Sequence, residues 1–106
     1  MVGGFKVLVT PVAEASIERI YDYYELEVSR SVAQRIKNEI LKEILMLKIL
    51  PERKSLLRAK KKYNPVMRFA QKMSFKIIFQ VYTEVQEVVV LEIIHDKENP
   101  EKWESI

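Results

Sequence analysis

Seven side chains in the second half of the sequence have the types needed for acid–base or phosphate chemistry: Arg68, Lys76, Gln80, Glu92, His95, Asp96 and Lys97. Lys76 opens and His95 closes two β-rich runs that read as the arms of a hairpin, and antiparallel pairing brings such ends to one edge of a sheet. Cleavage of RNA through its 2′-hydroxyl needs a base to take the hydroxyl proton, a cation to stabilise the charged phosphorane and an acid to protonate the leaving oxygen. His95 fits acid or base, and Arg68 and Lys76 fit a phosphate clamp. A purely structural reading stands beside this one. His95 shares strand parity with Val89, Leu91 and Ile93, the core-facing set, so it can equally be a strand-end histidine packed or bonded to backbone. Glu92 can pair with Lys76 or Arg68 without any catalytic role, and Lys97 fits a solvated turn. Gly-rich phosphate loops, G-x-S-x-G, H-E-x-x-H and cysteine nucleophiles are all absent from the sequence, so any catalysis must work through charge.

The stretch that must position these groups is Phe75 to Pro100, FKIIFQVYTEVQEVVVLEIIHDKENP. Two β-branched and aromatic runs flank a polar turn, Thr83 to Glu87, which predicts a β-hairpin. Alternation puts Ile77, Phe79 and Val81 on one face and Lys76, Ile78, Gln80 and Tyr82 on the other. With Tyr82 opposite Val88, Ile78 faces Glu92 and Lys76 faces Ile94, and Val89, Leu91 and Ile93 extend the apolar face. One face is then core and the other mixed.

Bulk properties set the bounds. A chain of 106 residues, 48% hydrophobic and 31% charged, fits one domain over residues 1–106 with a single core. It has no cysteine and one histidine, so neither a disulfide framework nor a metal site is expected, and no cofactor is implied. No apolar run approaches the roughly 20 residues needed to cross a bilayer, and Met1 to Gly4 lacks the features of a signal peptide, which predicts a cytoplasmic protein without a membrane partner. The net charge is +3, unevenly spread: Pro51 to Lys76 holds nine basic residues against one acid, Glu52, a local charge of +8 that leaves the rest of the chain at −5. Arg53, Lys54, Arg58, Lys60, Lys61, Lys62 and Lys72 belong to this block and are candidates for contact with nucleic acid; a solvated loop is the alternative for Lys60 to Lys62.

In chain order, Phe5 to Thr10 alternates as a strand with Phe5, Val7 and Val9 inward. Thr10 followed by Pro11 is a helix start, and Ala13, Ile17, Ile20, Tyr21, Tyr24 and Val28 recur at helical spacing. Tyr21 and Tyr24 lie on that stripe and read as core; Tyr23 points elsewhere and is open to a base-stacking role. Ser29 caps a second helix with a stripe at Val32, Ala33, Ile36, Ile40, Ile44 and Leu47, lasting to Leu50 and stopped by Pro51. The short junction makes the two helices an antiparallel pair, and Leu41, Leu45 and Met46 widen the second stripe enough to engage a partner. Pro51 to Pro65 reads as a loop with at most a turn of helix, Val66 to Ala70 as a strand, and Gln71 to Ser74 as a turn. The expected order is β-α-α-β-β-β, an α+β fold with the helix hairpin on one face of a small, mainly antiparallel, twisted sheet.

The whole pattern resembles the RelE/ParE superfamily of toxins from bacterial type II toxin–antitoxin modules, including those of plasmid-stabilisation type. The likeness runs from about Lys6 to Trp103 and is carried by VTPVAEASIERIYDYY, the helix ending in MLKILP, the strand SFKIIFQVY and, above all, VVVLEIIHDKENPEKW. It implies a growth-inhibiting toxin with a concave basic face, neutralised by a cognate antitoxin whose C-terminal segment wraps it, and reaching operator DNA only through that antitoxin. Ile78, Gln80, Leu41 and Leu45 are the residues expected to meet the antitoxin. Some members cleave mRNA in the ribosomal A site without a metal, and others act on DNA gyrase and are not known as nucleases. The first activity is favoured by the basic block; gyrase inhibition, or a degenerate member that only binds antitoxin or DNA, is the alternative, and a homodimer is left open. Carried over by position, Lys76 stands where ribonuclease members have a phosphate-contacting arginine and Lys97 near another basic position, so Arg68, Lys76, His95 and Lys97 form the candidate catalytic set. Two departures bear on that set: lysine lacks the bidentate geometry of arginine, and no tyrosine follows His95 to act as terminal acid or base.

Overall fold

The computed structural model describes residues 4–57 and 63–97. Arg58, Lys60, Lys61 and Lys62 of the basic block, and the exit through Pro100 to Trp103, lie outside those residues. Strand β1 (Lys6–Val9) leads through Thr10 into helix α1 (Pro11–Glu27), followed by helix α2 (Arg30–Met46), a 3-10 turn at Pro51–Arg53, and strands β2 (Ser55–Leu56), β3 (Met67–Lys72), β4 (Phe75–Tyr82) and β5 (Glu87–His95). The five strands form one sheet in the order β1-β5-β4-β3-β2. Only β1 runs parallel to its neighbour, β5; the other pairings are antiparallel. The α+β fold is as expected. The addition is β2, a two-residue strand inside the stretch read as loop, held because the Leu57 N–H donates to the Met67 carbonyl at 2.8 Å.

Local chemistry starts each helix where the residue types place it. The Thr10 hydroxyl accepts from the Ala13 N–H at 3.1 Å and Pro11 fills the first helical position, while the Ser29 hydroxyl accepts from the Val32 N–H at 3.2 Å. Helix α2 ends earlier than its apolar pattern, at Met46, and Leu50 turns the chain with φ 47° before Pro51. Val28, read as part of the α1 stripe, falls just past the helix and is exposed. Between the helices and the sheet lies the main core, with Ala13, Ile17, Ile36, Ile40, Ile44, Leu47, Ile77, Phe79, Val88, Val90 and Ile93 all buried. A second, smaller cluster of Met67, Ile78 and Ile94 sits on the opposite face under Leu57, Tyr63, Phe69 and Leu91.

The hairpin register matches expectation at Ile78↔Glu92 and Lys76↔Ile94 but differs at the turn, where Tyr82 pairs with Glu87 and Val81 with Val88. The cause is an irregularity between Ile78 and Phe79: Phe79 pairs with Val90, so Leu91 is left without an opposite residue. The core-facing set before it is therefore Val88 and Val90, while Leu91 packs on the second cluster; Val89 and Leu91 do not extend the core as alternation alone implies. Thr10 braces the irregularity, its N–H bonding the Val90 carbonyl at 3.1 Å and its hydroxyl the Leu91 carbonyl at 3.2 Å. Glu92 turns toward α1, where its carboxylate accepts from the Ser16 hydroxyl and the Ile93 N–H.

Candidate functional site

Strand β4 begins beside the end of β5, so Phe75 pairs with His95 and Lys76 with Ile94. The backbone thus brings the Lys76 and His95 ends together at one edge of the sheet, and the side chains diverge from there. Lys76 points to the face opposite the helices, over the Phe69 ring at 5.3 Å, and its Nζ lies 3.0 Å from Asp96 Oδ1. Gln71, across β3, donates from Nε2 to both Asp96 oxygens at 3.2 and 3.0 Å and to the Met73 carbonyl at 3.0 Å. Partial burial pushes the Asp96 carboxyl up, but hydrogen bonds from Lys76 and Gln71 and the charge of Lys76 together hold it below the ordinary aspartate value. Lys76 is in this way a bound cation.

His95 turns to the helix side. Its ring meets Phe75 edge-on, centroids 5.2 Å apart, and its Nδ1 accepts the Lys97 N–H at 3.0 Å. A nitrogen that accepts carries no proton, so the neutral ring in this geometry is protonated at Nε2. Arg68 is also on the helix side of its strand but at the far end from His95, where its guanidinium donates to the Lys54 carbonyl at 2.9 Å and ties β3 to the segment after α2. Lys97 lies with His95, Phe75, Tyr23, Tyr24 and Arg19 around an open cavity of about 520 Å³ between α1 and the β4–β5 end. The candidate catalytic set is therefore divided: Lys76 on the open face, His95 and Lys97 at the cavity, and Arg68 at another place on the helix side.

The rest of the sequence-derived residues sort by what they touch. Lys54 pairs with Glu43 at 3.6 Å and Lys72 with Glu39 at 3.2 Å, so these two cations bind the segment before β2 and the end of β3 to α2. The hydrogen bond from Lys72, with the nearby charge of Lys42, holds Glu39 below the ordinary glutamate value. Arg53 is exposed. Ile78, expected to meet the antitoxin, is fully buried in the second cluster, against which Leu57, Tyr63, Phe69 and Leu91 pack, and so offers no surface of its own. Gln80 donates to the Pro65 carbonyl at 2.7 Å and accepts from the Tyr82 hydroxyl at 3.3 Å. Leu41 and Leu45 are 38% and 61% exposed, and with Met46, Ile49 and Leu50 they leave an apolar strip along the end of α2.

Sequence reasoning passed over Gln71, Ser16 and Arg19. Gln71 looked like a turn residue because the true turn is shorter, Met73–Ser74, with Met73 at φ 52°. Ser16 sits fully buried on α1, where it donates to Glu92 and accepts from Arg19 Nη2 at 3.2 Å. The available signals were a small polar residue beside the apolar stripe of a helix and a carboxylate inside VVVLEIIH, each of which needs a buried partner.

The described residues form two helices packed on a five-stranded mixed sheet, an α+β scaffold on which the comparisons with known proteins bear directly. The family model described as the ParE toxin of the type II toxin–antitoxin system, parDE, matches residues 7–100. The chain therefore belongs to the ParE toxin family of type II toxin–antitoxin systems. Among solved structures, a chain of the chromosomal ParDE toxin–antitoxin system from P. aeruginosa is similar at 19% identity with a TM-score of 0.69, covering 86% of this chain and 95% of that one. A chain of the RelBE2 toxin–antitoxin complex from Mycobacterium tuberculosis is similar at 16% identity with a TM-score of 0.63, covering 90% and 94%. At those identities the likeness concerns the fold. The sequence matches none of the curated proteins. No helix among the described residues is long and apolar enough to cross a membrane, and no group of metal-binding side chains occurs among them.

Proposed function

We propose that this toxin stops growth by binding and arresting DNA gyrase, not by cutting RNA, and that a cognate antitoxin holds it inactive. The observation that carries the reading is the division of the candidate groups. Metal-free cleavage at a 2′-hydroxyl requires a base, an acid and a cation within hydrogen-bond reach of one phosphate. Lys76 is engaged with Asp96 on one face, His95 has its Nδ1 occupied on the other, and Arg68 lies at the far end of the helix side from His95, bonded to the Lys54 carbonyl. Inhibition by binding needs no such convergence, only a surface of suitable shape and charge. This reverses the preference drawn from the basic block, of which Lys54 and Lys72 are paired with acids of α2.

For the antitoxin, the exposed strip of Leu41, Leu45, Met46, Ile49 and Leu50 supports an apolar docking surface next to the helix hairpin. Primer extension on translated mRNA during induction tests the catalytic alternative: the expected result is unchanged 5′ ends with growth arrested, and arrest retained in Arg68→Ala. Cleavage products that vanish in Lys76→Ala and Arg68→Ala would restore ribosome-dependent mRNA cleavage as the mechanism.

A further inference from the structure

The cavity beside α1 is built unlike an incidental surface hollow. Its wall is a run of rings in edge-to-face contact: Tyr23 on Tyr24 at 5.1 Å and 88°, Tyr24 on Phe75 at 6.4 Å and 75°, and Phe75 on His95 at 5.2 Å and 90°. Each inner ring is fixed by the next, the stable arrangement for aromatic quadrupoles. Tyr23, the outermost, is 59% exposed and is not accounted for by core packing. Sequence left its role open, and the structure gives it a supported position at a cavity mouth.

Two cations stand at the same cavity, Arg19 and Lys97, against a single acid, Glu27. Arg19 is held from behind: its guanidinium donates to Ser16 Oγ at 3.2 Å, and the Ser16 hydroxyl is itself fixed by donation to buried Glu92. A guanidinium has five N–H donors and this contact uses one nitrogen, so a planar donor group is held at the cavity with capacity for an anion. At about 520 Å³ the space is of the size that takes a small organic ligand.

We propose that this cavity binds a nucleobase carrying a phosphate, the base stacked on Tyr23 and the phosphate between Arg19 and Lys97. Ring faces stack on any base, which requires the base to be unstacked, as in a free mononucleotide or at the end of a single strand. The site is separate from the target assigned above and from the apolar strip of α2, and its failure would leave both untouched.

Nuclear magnetic resonance titration of the full chain, free of antitoxin, tests it with four probes: adenosine 5′-monophosphate, adenosine, inorganic phosphate and a 5′-phosphorylated trinucleotide. The monophosphate is expected to shift Tyr23, Tyr24 and His95 and to bind about tenfold or more tightly than adenosine or phosphate alone, since charge-assisted bonds add to stacking. Tyr23→Ala should weaken it about tenfold, the loss of one stacking platform, and Arg19→Ala should bring the monophosphate down to the affinity of adenosine. Leu26→Ala, on an 83% exposed residue of the same helix, should change nothing. A trinucleotide bound more tightly than the monophosphate assigns the site to strand ends, and equal binding assigns it to free nucleotide. Shifts absent from the cavity residues, binding equal to that of inorganic phosphate, or full affinity in both variants would overturn the site.

Discussion

The carboxylate of Asp96 shows how one residue can be claimed by structure or by function. It receives Lys76 and Gln71 and sits below the ordinary aspartate value, although it and Lys76 are both partly exposed. A carboxyl depressed on folding contributes stability above its unfolded pKa, and that contribution is lost as pH falls through the depressed folded value. Lys76→Met is therefore expected to raise the Asp96 pKa, read from its carboxyl ¹³C shift. The variant should be less stable than the parent by at most about 1 kcal/mol at neutral pH, with no difference once both are protonated in acid. A midpoint that does not move would mean Lys76 is not held by Asp96 in solution. Ser16 poses the sharper case, because its loss leaves the buried Glu92 carboxylate with only the Ile93 N–H of its two donors. Ser16→Ala should cost about 1–3 kcal/mol in chemical denaturation, while Glu92→Gln, which keeps the oxygen acceptor, should cost less. Equal costs for the two would show that the carboxylate charge, not the hydroxyl bond, sets the energy.

Elements were readable from the residues to the extent that local chemistry alone determines them. Thr10-Pro11 and Ser29 start the helices because a side-chain oxygen and a proline are enough to do so. The backbone irregularity opposite Ile78 and Phe79 is different: no glycine or proline marks Leu91, and it is held by Thr10, eighty-one residues away. That one unmatched residue moved Val88 and Val90 into the core and sent Glu92 to α1. With only two glycines in the chain, the left-handed positions among the described residues fall on Leu50, Met73 and Gln86, so no glycine marked these turns. The division of the site, by contrast, was already written in strand parity. Alternation sets Lys76 and His95 on opposite faces, and only their shared end of the sheet had suggested joint chemistry. Where the chain enters β1, Gly4 packs so near the end of α2 that an added Cβ would lie 2.7 Å from the Lys48 carbonyl oxygen, and Phe5 N–H bonds that same oxygen at 2.8 Å. Gly4→Ala should therefore lower stability by about 1–3 kcal/mol, measured by thermal melting with secondary structure retained. A neutral result would show that the β1 start can shift away from α2 without cost.

At the scale of the molecule, a sheet backed by a helix hairpin leaves three distinct surfaces: the apolar strip of α2, the open sheet face around Lys76 and Asp96, and the ring-walled cavity beside α1. Membership of the ParE toxin family makes a type II toxin–antitoxin system the context for all three. On the strip, a charge placed in an apolar contact loses its hydration without gaining a partner. Leu45→Glu should therefore leave the isolated toxin folded, since Leu45 is 61% exposed, yet weaken its complex with antitoxin by about tenfold or more. Undiminished affinity in calorimetry would place the antitoxin elsewhere. The central claim concerns the target, and supercoiling of relaxed plasmid by purified DNA gyrase measures it most directly. The toxin is expected to block supercoiling in a dose-dependent way, with the block relieved by antitoxin and retained in Arg68→Ala. Gyrase that supercoils at its full rate in a molar excess of folded toxin would contradict it.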